Sequence, residues 1–200
     1  MTESLKVVNP PEVLAYGTRV NSRVDEMFTE LNTLSQNCVD VDYEGTNAFA
    51  FKTQAGAKAV EFGKALALQI NDLKAGIARA TSAIAGSLGG AAITLDLSDN
   101  VIAAPSPKPD QGIQVAAPTA LSDLITLVNT RFNNLATSIE GLNALPDNSR
   151  TGWMGDARNT TEEFVATWSR SAKESCETAR QSFVDFITKQ RDSVVEADKA

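Results

Sequence analysis

Apolar residues return every three or four positions in four long runs, and each run predicts a helix with one buried stripe. The first comprises Val13, Tyr16, Val20, Val24, Met27, Leu31, Leu34, Cys38 and Val41. From Val20 its steps alternate four and three, a heptad seam of coiled-coil type that must pack lengthwise against a partner. Pro10-Pro11-Glu12 opens this helix, with proline where amide donors have no helical acceptor, and the run ends near Asp42. The second run holds Phe51, Ala55, Ala59, Phe62, Leu66, Ile70, Leu73, Ile77, Ile84 and Leu88, and Gly89-Gly90 stops it. Its Ala55, Gly56, Ala59 and Gly63 predict a close approach by neighbouring helices. Leu121, Leu124, Val128, Phe132, Leu135, Ile139 and Leu142 make the third run, closed by Pro146-Asp147-Asn148. The fourth carries Ala157, Phe164, Trp168, Ala172, Ala179, Phe183, Phe186 and Val194 nearly to the last residue.

The runs pair into hairpins with similar tips. Tyr43-Glu44-Gly45 separates the first two and Trp153-Met154-Gly155 the last two, so each tip reads aromatic, any residue, glycine. Glycine takes turn angles closed to other residues, and a flat ring two positions earlier can lie against both helices. Trp153 has two readings at this stage, a structural clamp and an exposed recognition group. Residues 1–9 read as a loose tail. Between the hairpins, residues 91–118 change composition, with Pro105, Pro107, Pro109 and Pro118. Ile93-Thr94-Leu95-Asp96-Leu97 and Gly112-Ile113-Gln114-Val115 alternate enough for short strands, against the plainer reading of an extended linker laid on the bundle surface. The expected organisation is a first hairpin over 1–90, the linker over 91–118 and a second hairpin over 119–200.

Composition narrows the function classes. At 42% hydrophobic, 200 residues can bury a substantial core. A net charge of −7 without a basic cluster argues against a nucleic-acid partner. Histidine is absent, which removes the commonest general base and metal ligand together. Glu162-Glu163 and Asp185 fall at helical spacing opposite the aromatic stripe, as solvated charges do, and no catalytic pair accompanies them. Gly86, Gly89 and Gly90 lack the flanking residues of a phosphate loop. The expectation is therefore no enzyme, no cofactor and no metal. No apolar run follows Lys6, so no general signal peptide is read, and Ala80 to Leu95 is shorter than a membrane span and broken by glycine. The close-packed Ala75 to Leu88 region is the one candidate for membrane disruption, with helix packing the blander reading, and no stable insertion is expected.

Trp153, Gly155, Ala157, Phe164 and Trp168, between two long helices, resemble the W-x-G helical-hairpin proteins exported by ESX, or type VII, secretion systems of actinobacteria and firmicutes. Members of that family are about half this length and pair antiparallel into four-helix bundles. The resemblance implies an all-α fold: two hairpins packed antiparallel as an elongated four-helix bundle, a monomer that is an intramolecular pseudo-dimer. Tyr43 and Gly45 stand at the matching positions of the first tip, with tyrosine in place of tryptophan. The implied function is that of a secreted, non-enzymatic partner, chaperone or targeting module, reaching the medium or cell surface after cytoplasmic synthesis. The type VII ATPase and another exported protein are its implied partners. In the family, export uses a hairpin tip together with a Tyr-x-x-x-Asp/Glu signal. No tyrosine follows Phe183 here, and Val194 with Asp198 is the nearest substitute, a candidate degenerate signal. The alternative is a cytoplasmic or phage-borne helical scaffold with a coincidental W-x-G.

Two features bear on hairpin orientation without the resemblance. Hairpins with both tips at one end need only about 2 to 8 connecting residues, far fewer than Gly89 to Pro118. Cys38 and Cys176 lack metal or redox spacing and read as core thiols. Antiparallel packing makes them candidate proximal thiols, offset along the bundle by less than two helical turns, under about 11 Å at 1.5 Å per helical residue.

Overall fold

A computed structural model of the chain describes residues 7–87, 100, 102–108, 118–144, 153–154 and 156–197. Its elements are β1 (Val7–Val8), α1 (Pro10–Asp40), α2 (Thr46–Ser87), α3 (Pro118–Ala144), β2 (Trp153–Met154) and α4 (Asp156–Ala197). The fold is an all-α four-helix bundle of two hairpins, α1–α2 and α3–α4, as expected. The carbonyl of Asn9 accepts from the amides of Glu12 and Val13 at 3.0 and 3.2 Å, so α1 starts with Pro10 at its first turn. α3 likewise begins on a proline, Pro118, which the sequence had left in the linker.

Two compact units divide the chain, one of Met1–Met27, Leu66–Asn100 and Thr137–Lys173, the other of Phe28–Ala65, Val101–Ala136 and Glu174–Ala200. Each draws on all four helices, so compactness does not follow the chain order of the hairpins. In the first unit, Trp168 on α4 donates its indole N–H to the Gln69 carbonyl on α2 at 2.7 Å, and Phe164 lies against Gly76. Numbers rise on α2 as they fall on α4, so these helices run antiparallel. Between α1 and α3 the same holds: Ser138 donates to Glu26 at 3.2 Å, and Arg23 lies against Gly141. In the second unit, Phe62, Phe132 and Phe183 bring α2, α3 and α4 together with ring centres 5.2 and 5.8 Å apart. Arg131 on α3 reaches Glu30 on α1 at 3.1 Å, and Arg180 on α4 reaches Asn129 on α3 at 2.8 Å. These contacts come from side chains placed one turn apart on each stripe.

The core follows the predicted stripes on α1 and α3, with additions. Phe62 of α2 and Phe164, Ala179, Phe186 and Val194 of α4 are only half-buried, and Val165, Ser169, Cys176 and Ile187 of α4 are buried instead. α1 buries Val13, Tyr16, Val20, Val24, Met27, Leu31, Leu34 and Cys38, and also Phe28, Ser35 and Val39. That wider face has a reason: besides its helical neighbours, α1 meets an extended strap from the linker. Asn100 donates to Asp25 at 2.9 Å, the Ala103 amide donates to Asn32 Oδ1 at 2.8 Å, and Ser35 donates to the Ala103 carbonyl at 3.3 Å. Residues 102–108 contain no helix or strand. Ile93 to Leu97, Gly112 to Val115, Gly89-Gly90 and Pro146 to Asn148 lie outside the described residues, as do Leu88 and the side chains of Ile84 and Ala157.

Two expectations are corrected. Residues 1–9 are not wholly a loose tail, because β1 pairs antiparallel with β2, Val7 opposite Met154 and Val8 opposite Trp153. An isolated Val-Val pair is too short to signal a strand, and its partner lies far along the chain. Gly63 does not serve helix-on-helix contact either: a Cβ there would sit 2.9 Å from Ile102 of the strap. Gly56 is shared, its missing Cβ facing Val39 of α1 at 3.1 Å and the Pro105 carbonyl at 3.9 Å.

Candidate interaction sites at the two hairpin tips

The first tip forms because α1 stops at Asp40 and the chain must reverse before Thr46. Gly45 takes φ 117°, a left-handed angle that strains any side chain, and its carbonyl accepts from Phe49 at 2.9 Å to start α2. Tyr43 donates its amide to the Val41 carbonyl at 2.8 Å, a tight turn that points the ring inward. The ring is buried, edge-on to Phe51 with centres 6.0 Å apart, and Phe51 stacks on Phe186 of α4 at 5.2 Å. Gln190 of α4 donates its amide to the Tyr43 hydroxyl at 2.7 Å. The aromatic of this tip therefore clamps the hairpin to the last turns of the other hairpin, and spends its polar end doing so.

Outside that clamp lies a cleft of about 630 Å³. Asp40, Asp42 and Glu44 stand exposed around it, facing Lys52 and Lys108. Gln36 donates to Asp40 at 2.7 Å. Phe49, on the first turn of α2, lines the cleft and remains 40% exposed, an aromatic that the bundle leaves in water. No feature of the stripe pattern flagged Phe49, because it falls off the buried face.

The second tip is organised differently. Trp153 and Met154 form β2 on the chain just before α1, so this tip too meets the other hairpin, here through the main chain. The Trp153 side chain and Gly155 lie outside the described residues, and both readings of that indole stand where the sequence put them. Nearby, Arg158 pairs with Glu162 one turn later. Glu162 is thus engaged, whereas Glu163 is exposed as expected. Burial pushes the Tyr16 hydroxyl above the ordinary phenol range, with Arg19 opposing and Glu162 adding to the shift. Arg19 brings two buried guanidinium nitrogens, Nε and Nη2, that have no hydrogen-bond acceptor.

Of the candidate export residues, Val194 is half-buried near the end of α4, four residues past Gln190, and Asp198 lies outside the described residues. Cys38 and Cys176 are both buried and free, and desolvation pushes each thiol up to about 12. Both belong to the compact unit that holds the first tip. The Tyr43–Gln190 bond fixes their offset: Cys38 precedes Tyr43 by five residues and Cys176 precedes Gln190 by fourteen. Cys38 is only two residues, about 3 Å, from the end of α1 at Asp40, whereas the fourteen residues from Cys176 to Gln190 rise about 21 Å along α4, a difference too large for a disulfide. Among the described residues no group of Cys, Asp and Glu is arranged to hold a metal ion, and no helix is long and apolar enough to cross a membrane.

What this arrangement offers is surface, in two chemically distinct tips, each seated beside the other hairpin's ends. No family model, curated protein or solved structure matches the chain.

Proposed function

We propose that this protein is an interaction module acting through its surface, a bundle whose tips and chain ends present recognition groups to other proteins. More particularly, it is a fused equivalent of the paired hairpins exported by type VII secretion systems, serving as partner, chaperone or targeting module for another exported protein. One observation carries this reading: each W-x-G-like tip lies against the other hairpin's chain ends, through Tyr43 to Gln190 at one tip and β2 to β1 at the other. That is the antiparallel arrangement the resembling family makes from two chains. The first tip and Val194 accordingly share the end of the molecule where an export ATPase would read them together. Docking there needs no catalytic group and no cofactor.

The test is secretion. In the host, comparing culture supernatant with lysate in the presence and absence of the type VII ATPase, the protein appears outside only when the ATPase is present. Removing residues 194–200 abolishes export and leaves the melting temperature nearly unchanged, because terminal turns bury little surface. Retention in the lysate in both strains refutes the reading and favours an intracellular scaffold.

A further inference from the structure

The groove between α1 and α2 is built around an extended chain. Two α1 side chains read one residue of the strap completely: Asn32 Oδ1 accepts from the Ala103 amide at 2.8 Å, and buried Ser35 donates to the Ala103 carbonyl at 3.3 Å. Such main-chain recognition accepts any residue at that position, as an added strand does in peptide-binding sheets. Selectivity comes from the opposite wall. Gly63 leaves a notch filled by Ile102, where a Cβ would stand 2.9 Å from the isoleucine, whereas Gly56 faces Val39 of α1 at 3.1 Å and meets the strap only at the Pro105 carbonyl, 3.9 Å away. The groove therefore admits an aliphatic side chain directly before the residue whose main chain α1 holds. A plain tether needs only reach. A mid-helix glycine also gives up helix propensity relative to alanine.

We propose that the α1–α2 groove is a docking site for extended peptides that place a β-branched aliphatic residue in the Gly63 notch and the main chain of the next residue on Asn32 and Ser35, and that the strap occupies it in cis as a built-in competitor. A partner presenting such a segment displaces the strap. Because the strap is tethered, its effective concentration is of millimolar order, and a free peptide competes poorly until the strap is weakened.

The experiment uses the full-length chain and a fluorescent synthetic peptide of residues 100–108. In the variant Ile102→Gly/Pro105→Gly, whose helicity and cooperative melting are checked first, the peptide binds at least tenfold more tightly than to the unaltered chain. Adding Gly63→Val to that variant abolishes binding, and a peptide with glycine in place of its isoleucine fails to bind. Equal binding to the unaltered and vacated chains, or binding that survives Gly63→Val, overturns the proposal. Should the vacated chain not fold, hydrogen exchange at the Ala103 amide of the unaltered protein supplies the answer. Excess peptide speeds that exchange at least tenfold if it displaces the strap, and unchanged exchange overturns the proposal. Concentration-dependent dimerisation of the unaltered chain that excess peptide does not reverse also overturns it, because the strap is then exchanged between copies. None of these readouts involves secretion.

Discussion

Glycine-to-alanine changes in one helix give opposite signs, and Gly76 with Gly86 of α2 make the comparison. Helix propensity alone favours alanine at both by about 1 kcal/mol, since glycine loses more backbone freedom on folding. At Gly86 nothing lies within 4 Å of the added methyl, so Gly86→Ala realises a gain of a few tenths to about 1 kcal/mol, the lower end applying because α2 ends at Ser87. At Gly76 the methyl would stand 2.3 Å from two carbons of the Phe164 ring. The ring must leave its seat, and overpacking costs about 1–3 kcal/mol, with a backbone-fixed methyl this close to a ring at the upper end, about 2–3, so the net effect of Gly76→Ala is a loss of about 1–2 kcal/mol. For a chain of this length that corresponds to about 2–8 °C in melting temperature. The assay is a double-mutant cycle in urea. Phe164→Ala alone destabilises by roughly 2 kcal/mol, less than a fully buried phenylalanine, because the ring is half-buried. In the Phe164→Ala background Gly76→Ala turns stabilising, with a coupling energy of about 2 kcal/mol. Gly76→Ala stabilising the unaltered protein as much as Gly86→Ala, or a coupling near zero, refutes the placement of Phe164 against α2 and with it the packing of the second hairpin on the first.

The two thiols give a pH prediction: both are pushed up to about 12 in the fold, whereas unfolded thiols titrate near about 8.5. A raised folded value means that the stabilisation is complete below pH about 8.5 and is lost as pH climbs toward 12, by at most about 1.4 kcal/mol per pH unit per thiol. Replacing both cysteines with alanine therefore flattens the alkaline fall in melting temperature, and an unchanged slope counters the assignment. In the native state at pH 8 neither thiol reacts with a thiol reagent, and mild oxidation forms no intramolecular disulfide; mass spectrometry of the products checks both. Tyr43→Phe, which removes only the hydroxyl held by Gln190, costs about 0.5–1.5 kcal/mol, while Tyr43→Ala costs about 3–5 by emptying the site beside Phe51. Equal losses in chemical denaturation would show that the ring is not packed. Deleting residues 1–8 speeds hydrogen exchange of the β2 amides at least tenfold and leaves exchange in the middle of α3 unchanged.

Much of the helix pattern was legible because each helix buries one stripe, and a stripe leaves a period in the sequence. Val13 to Cys38 and Leu121 to Leu142 are buried as their spacing predicts. The first tip was legible for a related reason, since Gly45 needs an angle that few residues tolerate. Orientation could be argued from linker length, because geometry limits how few residues can return a chain to the far end of a bundle. Pairings at long range were not legible. Val8 meets Trp153 and Tyr43 meets Gln190 across more than a hundred residues, and neither partner carries a local signal of the other. Ser35, buried on the strap side of α1, breaks the apolar stripe and reads as surface until the strap is in place. Gly63 misled for the same reason: a small residue announces a close approach but not what approaches. Phe49 stands close behind the first tip in the sequence, but its exposure was not legible, because an aromatic off the stripe has no period.

Joining the two hairpins in one chain changes what dilution can do. Two separate chains in the same arrangement come apart as they are diluted, and their stability depends on how much of each is present. Here the association is intramolecular, so one-to-one stoichiometry holds at any abundance. A single chain is also free of the demand of two-fold symmetry, under which one residue must serve both ends of an interface. A tyrosine can then tie one tip to Gln190 by its hydroxyl while the other tip is bound through its main chain to Val7 and Val8. Each end is free to acquire its own specificity without spoiling the other, a division of labour that a self-paired hairpin cannot reach.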